Sequence, residues 1–147
     1  MVFIIDNLGK ANILSWQSRK IKRVCNSTIS AECRAAVEAV NASVYLTALL
    51  KETLGPMSKD IDIRLLVDNK ALVDAVTYPT SVEDKRLRID ISYLRECIKN
   101  NEIEDIFWIA SQDNVSNALT KQGASVTKLT EVLQGKCKFD FCNNIFV

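Results

Sequence analysis

Histidine is absent from this chain of 147 residues. Its absence excludes His-based acid–base catalysis and every metal site with histidine ligands. The five cysteines are odd in number and include no C-x-x-C pair, so neither a zinc site nor a disulfide framework is supported. We therefore expect free thiols in a reducing compartment.

Apolar runs of membrane-spanning length are also missing. The start of the chain, MVFIIDN, has no basic segment and too short an apolar core for a signal peptide. We expect a cytosolic or nuclear protein with no membrane partner. Length and an apolar fraction of 48% predict one globular domain with a real core.

Charge is nearly balanced, with 19 basic and 18 acidic residues and a net charge of +1. Overall charge therefore gives no indication of a nucleic-acid partner, and only local clusters can. The first cluster fits either an edge strand protected by its cations or a ridge that contacts phosphates. The two clusters are Arg19, Lys20, Lys22 and Arg23, and then Lys85, Arg86 and Arg88.

Hydrophobic periodicity predicts a β-hairpin followed by alternating helices and strands, which is a mixed-sheet α/β domain. Asn-Ser-Thr before the long helix and Gly-Pro after it are its expected cap and stop. Strands are predicted at residues 2–5, 13–18, 61–67 and 103–109, and helices at 26–54, 70–76, 82–100, 111–122 and 125–133.

Asp68 and Glu32 are the first candidates for a functional site. Asp68 directly follows the apolar strand at residues 61–67, and open α/β sheets bind ligands at the carboxyl ends of their strands. A simpler alternative makes Asp68 the N-cap of the next helix. Glu32 is expected in the first turn of the long helix, where its simpler role is to complement the helix dipole.

Four segments of the chain resemble the ribonuclease H domain of copia-type retrotransposon polyproteins. Residues 13–54 carry the S-W-x-S strand end at Ser15, the basic turn, and S-T-x-x-A-E opening a helix at Ser27. Val67-Asp68-Asn69, residues 85–91 (KRLRIDI) and residues 108–121 (WIASQDNVSNALTK) continue the resemblance in the family's order. We therefore divide the chain into a ribonuclease H-like domain at residues 1–123 and a C-terminal helix with an unassigned tail at 124–147.

The resemblance implies a ribonuclease H-like mixed sheet with flanking helices. It also implies Mg²⁺-dependent hydrolysis of the RNA strand of RNA/DNA hybrids, with four carboxylates holding two ions. Glu32 matches the family's helix glutamate, and Asp68 matches its fourth-strand aspartate. Asn117 stands where the family has an aspartate, and Asp113, one helical turn earlier, is a substitute displaced by about 6 Å.

The family's first-strand aspartate has no counterpart. The hairpin matches the second and third strands, so we expect the central first strand to be missing. Two alternatives follow: a marginally stable chain, or direct pairing of Val2–Ile5 beside residues 61–67.

We expect an inactive remnant of a retrotransposon polyprotein that binds Mg²⁺ weakly through Glu32 and Asp68. An active ribonuclease is one alternative. A second is a nucleic-acid-binding module that uses the two basic clusters on hybrid or duplex backbones. A third is an interaction role for the exposed hairpin edge.

Overall fold

The computed structural model describes residues 1–58, 61–79 and 81–146. Its strands are β1 (Val2–Ile5), β2 (Ala11–Ser15), β3 (Arg64–Val67), β4 (Asp105–Trp108), β5 (Phe139–Asp140) and β6 (Ile145–Phe146). Its α-helices are α1 (Thr28–Leu54), α2 (Lys70–Thr77), α3 (Lys85–Lys99), α4 (Asn117–Thr120) and α5 (Thr127–Leu133), and a short 3-10 helix covers Gly55–Ser58.

The chain is mixed α/β, as the periodicity predicts, but the strands do not share one sheet. β1 pairs with β2, β3 with β4, and β5 with β6, giving three two-stranded sheets among the described residues. Of the two alternatives for the missing strand, direct pairing of Val2–Ile5 with residues 61–67 is therefore wrong, and marginal stability stays a prediction. No helix in the described ranges combines the length and the apolar character needed to cross a membrane.

Contacts along the chain define two compact units. Unit 1 comprises residues 1–22 and 108–147, and unit 2 comprises residues 23–107. The residues of the predicted C-terminal tail therefore belong to the same unit as the hairpin. The predicted domain boundary at residue 123 stays a prediction.

Unit 2 is built on α1, whose buried positions recur at helical spacing. The Ser27 hydroxyl accepts a hydrogen bond from Ser30 N and caps the helix, and Gly55, with φ of 53°, ends it. Cys33, Val37 and Val40 pack into a core with residues of β3, α2, α3 and β4. Other members of that core are Leu65, Leu72, Leu87, Ile91, Leu94 and Ile106.

Unit 1 is organised around the hairpin turn. The Asp6 carboxylate accepts hydrogen bonds from Leu8 N and Lys10 N, both at 2.9 Å, and shapes the turn. Gly9 has φ of 78°, and Phe139 N donates to its carbonyl at 2.6 Å. A Cβ at position 9 would lie 2.6 Å from Phe139 O, so the tail can approach only a glycine here.

Candidate functional site

Glu32 lies one turn farther into α1 than expected. The helix begins at Thr28, and its first turn contains no acidic residue. The helix-dipole effect fades within the first turn, so that simpler role is weakened for Glu32. The side chain is half-buried, beside fully buried Cys33, and has no hydrogen-bond or ion-pair partner among the described residues.

Asp68 occupies the position directly after β3, and its side chain is half-buried. The N-cap of α2 is Asn69, whose Oδ1 accepts a hydrogen bond from Leu72 N at 3.2 Å. The simpler role proposed for Asp68 therefore belongs to its neighbour.

Both carboxylates belong to unit 2, on elements that share one core. Cys33 follows Glu32 and Leu65 precedes Asp68 by three residues, and both of these apolar side chains belong to the core cluster. Carboxylate oxygens are the hard ligands that Mg²⁺ prefers, so the donor chemistry of the pair fits this ion. Within the described ranges, no group of three or more Cys, Asp or Glu side chains is placed to hold a metal.

Asn117 and Asp113 lie in unit 1 and are engaged in local contacts. The expected helix at residues 111–122 is reduced to α4, preceded by turns, so the two residues do not share a helix face. Asn117 Nδ2 donates to Ser111 O at 2.6 Å. The Asp113 carboxylate, 13% exposed, forms an ion pair with Lys128. A carboxylate neutralised in this way is a weaker ligand for a cation.

The cations of the two basic clusters differ in their exposure and in their contacts. Arg23 forms an ion pair with Asp90, which removes it from the set of available phosphate ligands. Asp84 caps α3 by accepting hydrogen bonds from Leu87 N and Arg86 N, and these bonds lower the pKa of its carboxyl group. The exposed cations are Arg19, Lys20 and Lys22 in unit 1 and Lys85, Arg86 and Arg88 in the first turns of α3.

Asp90 is a polar residue that the sequence analysis treated only as part of a family segment. Its side chain is 7% exposed and pairs with Arg23, with Arg34 Nη1 at 3.9 Å from its other oxygen. Arg34 also pairs with Glu38 one turn farther along α1. One feature of the sequence could have indicated this contact: Asp90 lies beside the apolar stripe of the helix formed by Leu87, Ile91 and Leu94. A carboxylate is buried at such a position only when it has a partner.

Comparison of this chain with protein-family models, with curated proteins and with solved structures gave no match.

Proposed function

We propose that this chain is a ribonuclease H-like domain of a copia-type retrotransposon polyprotein in which the hydrolytic site has decayed. Glu32 and Asp68 are its remaining metal ligands. Position 117 carries an amide where the family has an aspartate. The ancestral activity is Mg²⁺-dependent hydrolysis of the RNA strand of RNA/DNA hybrids, and this chain does not perform it.

The observation that carries the proposal is the assignment of the cap at α2. Because Asn69 caps the helix, the half-buried Asp68 at the end of β3 is not explained by that local role. Glu32 is likewise outside the turn in which a helix dipole would explain it. Two half-buried carboxylates on elements of one core, neither of them in the helix-terminal role first considered for it, favour a retained ligand pair.

The chemistry of the pair accounts for the expected inactivity. When bound, Mg²⁺ supplies charge stabilisation and an acidified water for an in-line displacement at phosphorus. Glu32 and Asp68 would hold such an ion through their carboxylate oxygens, with water completing its coordination. Two carboxylates provide fewer charges than the ancestral four, so we expect weak metal binding and no hydrolysis above background.

Calorimetric titration with Mg²⁺ tests the retained pair. We expect weak binding by the unmodified chain and its loss in Glu32→Gln and in Asp68→Asn, each of which removes one charge at constant volume. Asp74→Asn, at an exposed position of α2, is the matched control and should bind as the unmodified chain does. Equal Mg²⁺ affinities of all four proteins would reject Glu32 and Asp68 as a ligand pair. Cleavage of an RNA/DNA hybrid by the unmodified chain, abolished in Glu32→Gln, would reject the proposed loss of hydrolytic activity.

A nucleic-acid-binding module without catalysis is a second candidate. Lys85, Arg86 and Arg88 are exposed in the first turn of α3, and no ion pair within the described ranges engages them. Exposed cations of this kind contact phosphates independently of base sequence.

A salt titration of hybrid binding tests this second candidate. Replacing Lys85, Arg86 and Arg88 by Gln should reduce the slope of log affinity against log salt by about 3, since each phosphate contact contributes about 0.9. The triple replacement Asp62→Asn, Glu83→Gln and Glu96→Gln, at exposed acidic positions, should leave that slope or raise it. An unchanged slope in the cation variant would exclude α3 from the interface.

A further inference from the structure

Two lysines oppose each other where the C-terminal tail meets the hairpin of unit 1. Lys10 and Lys138 are partners in an isolated antiparallel bridge. The hydrogen bond from Phe139 N to Gly9 O lies beside them, which places the lysines at a non-hydrogen-bonded position of the ladder. Partners at such positions have the closer of the two antiparallel spacings, with Cα atoms about 4.5 Å apart.

The two side chains share a solvent-exposed face. Their neighbours Ala11, Cys137 and Phe139 are 0%, 2% and 4% exposed, so the alternation of extended chain directs Lys10 and Lys138 outward. Lys10 extends over Gly135, where its Cε lies 2.9 Å from the position a Cβ would take. Lys136 follows Gly135 and is exposed as well. Lys10, Lys136 and Lys138 together are the tail lysine cluster.

Like charges directly opposite each other on neighbouring strands destabilise the pairing. None of the three lysines has a carboxylate partner in the described part of the chain. The nearest acidic residues in sequence serve their own turns: Asp6 accepts from Leu8 N and Lys10 N, and Asp140 accepts from Cys142 N. The exposed cluster therefore has no ion-pair partner among the described residues, although the charge of Glu131 acts on the neighbouring Cys137, and it is accessible to an external anion.

The charge of unit 1 favours a polyanion as the source of that anion. Unit 1 contains eight Lys and Arg against four Asp and Glu, a net charge of +4. Unit 2 contains eleven against fourteen, a net charge of −3. Unit 1 is therefore basic although the whole chain is nearly neutral. A negatively charged polymer is attracted to unit 1, which carries the tail lysine cluster.

We propose that the tail lysine cluster contacts the phosphodiester backbone of nucleic acid. An anionic oxygen between Lys10 and Lys138 relieves their repulsion, and Lys136 extends the contact to a neighbouring phosphate. Ammonium groups are compact point charges that neutralise phosphates without reading bases, so the contact is independent of sequence. This inference rests on the nucleic-acid partner of the proposed function but not on the metal site.

Charge reversal at the bridge separates binding from stability. Lys138→Glu places opposite charges across the ladder, so the melting temperature should rise while binding of a short RNA/DNA hybrid weakens. We expect the slope of log affinity against log salt to fall by about 2, because Lys10 is paired internally and the contact at position 138 is lost. Fluorescence anisotropy with the full chain, over about 50 to 200 mM salt, measures the affinity and its salt slope, and thermal denaturation measures the melting temperature.

Lys51→Glu is the matched control, since it makes the same charge change at an exposed lysine of unit 2. Equal affinity and slope for Lys138→Glu and Lys51→Glu would overturn the proposal. Unchanged binding with new aggregation of Lys138→Glu would also overturn it, by assigning the lysines to edge protection. Binding to phosphatidylserine vesicles without binding to the hybrid would overturn it in favour of a lipid source of phosphate.

Lys138→Gln removes the charge without reversing it and keeps the test valid if Lys138→Glu does not fold. The expected fall in slope is then about 1, with the same control. A chain that binds no Mg²⁺ but shows the expected change at Lys138 would reject the metal site and retain the lysine contact. The reverse result would retain the metal site alone.

Discussion

Asp90 is a carboxylate whose contacts explain why a charge is buried in the α1–α3 interface. Its side chain is 7% exposed and receives the guanidinium groups of Arg23 and Arg34. Removing water from a lone carboxylate is unfavourable by several kcal/mol, so the two arginines are a condition for this burial. The same charge, after burial itself, raises the pKa of the neighbouring Cys33 thiol to about 12.

We expect Asp90→Asn to destabilise the chain by about 2 kcal/mol at nearly constant volume, because Arg23 loses its counter-charge and Arg34 loses one of two, keeping Glu38. The value lies below the 3–5 kcal/mol typical of fully buried pairs. The reason is that Arg23 and Arg34 are 28% and 34% exposed and keep part of their hydration. Urea denaturation measures the difference.

Asp62→Asn, at an exposed position before β3, is the control for this charge change and should alter stability by less than about 0.5 kcal/mol. Equal stability of Asp90→Asn and the unmodified chain would mean that Arg23 and Arg34 do not need the Asp90 carboxylate as a counter-charge. From the sequence, Arg23 fitted either a charged edge strand or a ridge that contacts phosphates, because a cluster of cations gives no indication of a distant ion-pair partner. That partner is 67 residues away.

Among the elements, α4 differs most from its sequence-based expectation. Residues 111–122 have a plausible helical pattern, yet only Asn117–Thr120 is helical. Side chains hold the preceding turns: Asn114 Oδ1 accepts from Ser116 N at 3.0 Å, and Asn117 Nδ2 donates to Ser111 O at 2.6 Å. Short polar side chains that bond nearby backbone compete with helix, and here they prevail.

Asn117→Asp, which introduces the carboxylate expected under the proposed ancestry, should therefore destabilise unit 1 by about 1 kcal/mol. The substitution loses a donor and sets a carboxylate against a carbonyl oxygen, a loss of about 1–3 kcal/mol in a buried site. Partial exposure and a new i,i+4 pair with Lys121, worth about 0.3–0.5 kcal/mol, offset part of it. Hydrogen exchange of residues 111–121 measures the change.

Asn114→Asp is the matched control, because Asn114 Oδ1 accepts a hydrogen bond from Ser116 N and a carboxylate keeps that role. Slower exchange in Asn117→Asp than in Asn114→Asp would contradict the assigned amide contact. Faster exchange in Asn117→Asp than in Asn114→Asp would show that local structure explains the amide at position 117.

The longer elements were predictable because their periods repeat. α1 and α3 lie within the expected ranges, and β3 ends at the residue before Asp68, as the apolar run requires. The tail was not predictable, since strands of two residues show no period and Phe139 N finds its acceptor at Gly9, far away in sequence. The antiparallel pairing of β1 with β2 agrees with the predicted hairpin, whereas the division of the strands into separate sheets was missed, because pairing between distant strands is decided by non-local contacts.

At the scale of the molecule, each of the two units contains at least one buried cysteine, whose alkylation reports the unfolding of that unit. Cys33 and Cys97 are 0% and 1% exposed in unit 2, and Cys137 is 2% exposed in unit 1. Burial raises the pKa of all three thiols, most strongly for Cys33, so they stay protonated at neutral pH. Cys142 is exposed and Cys25 is half-buried. Only a thiolate reacts with alkylating reagents, and only where it is accessible.

Pulsed alkylation across a urea series should therefore label Cys142 at once and Cys137 at lower urea than Cys33. Unit 2 holds a cluster of fourteen buried core residues. The buried apolar residues in unit 1 are fewer and include the small Ala11 and Cys137, so less apolar surface opposes its opening.

Above pH 9 the unfolded Cys33 thiol ionises while the folded one does not, so stability of unit 2 should fall as pH rises toward 12. Mass spectrometry of the labelled peptides gives each midpoint, and Cys33→Ser is the control that should reduce the alkaline loss, with the raised pKa of Cys97 accounting for part of what remains. Coincident midpoints for Cys137 and Cys33 would show one cooperative transition and reject the expected order.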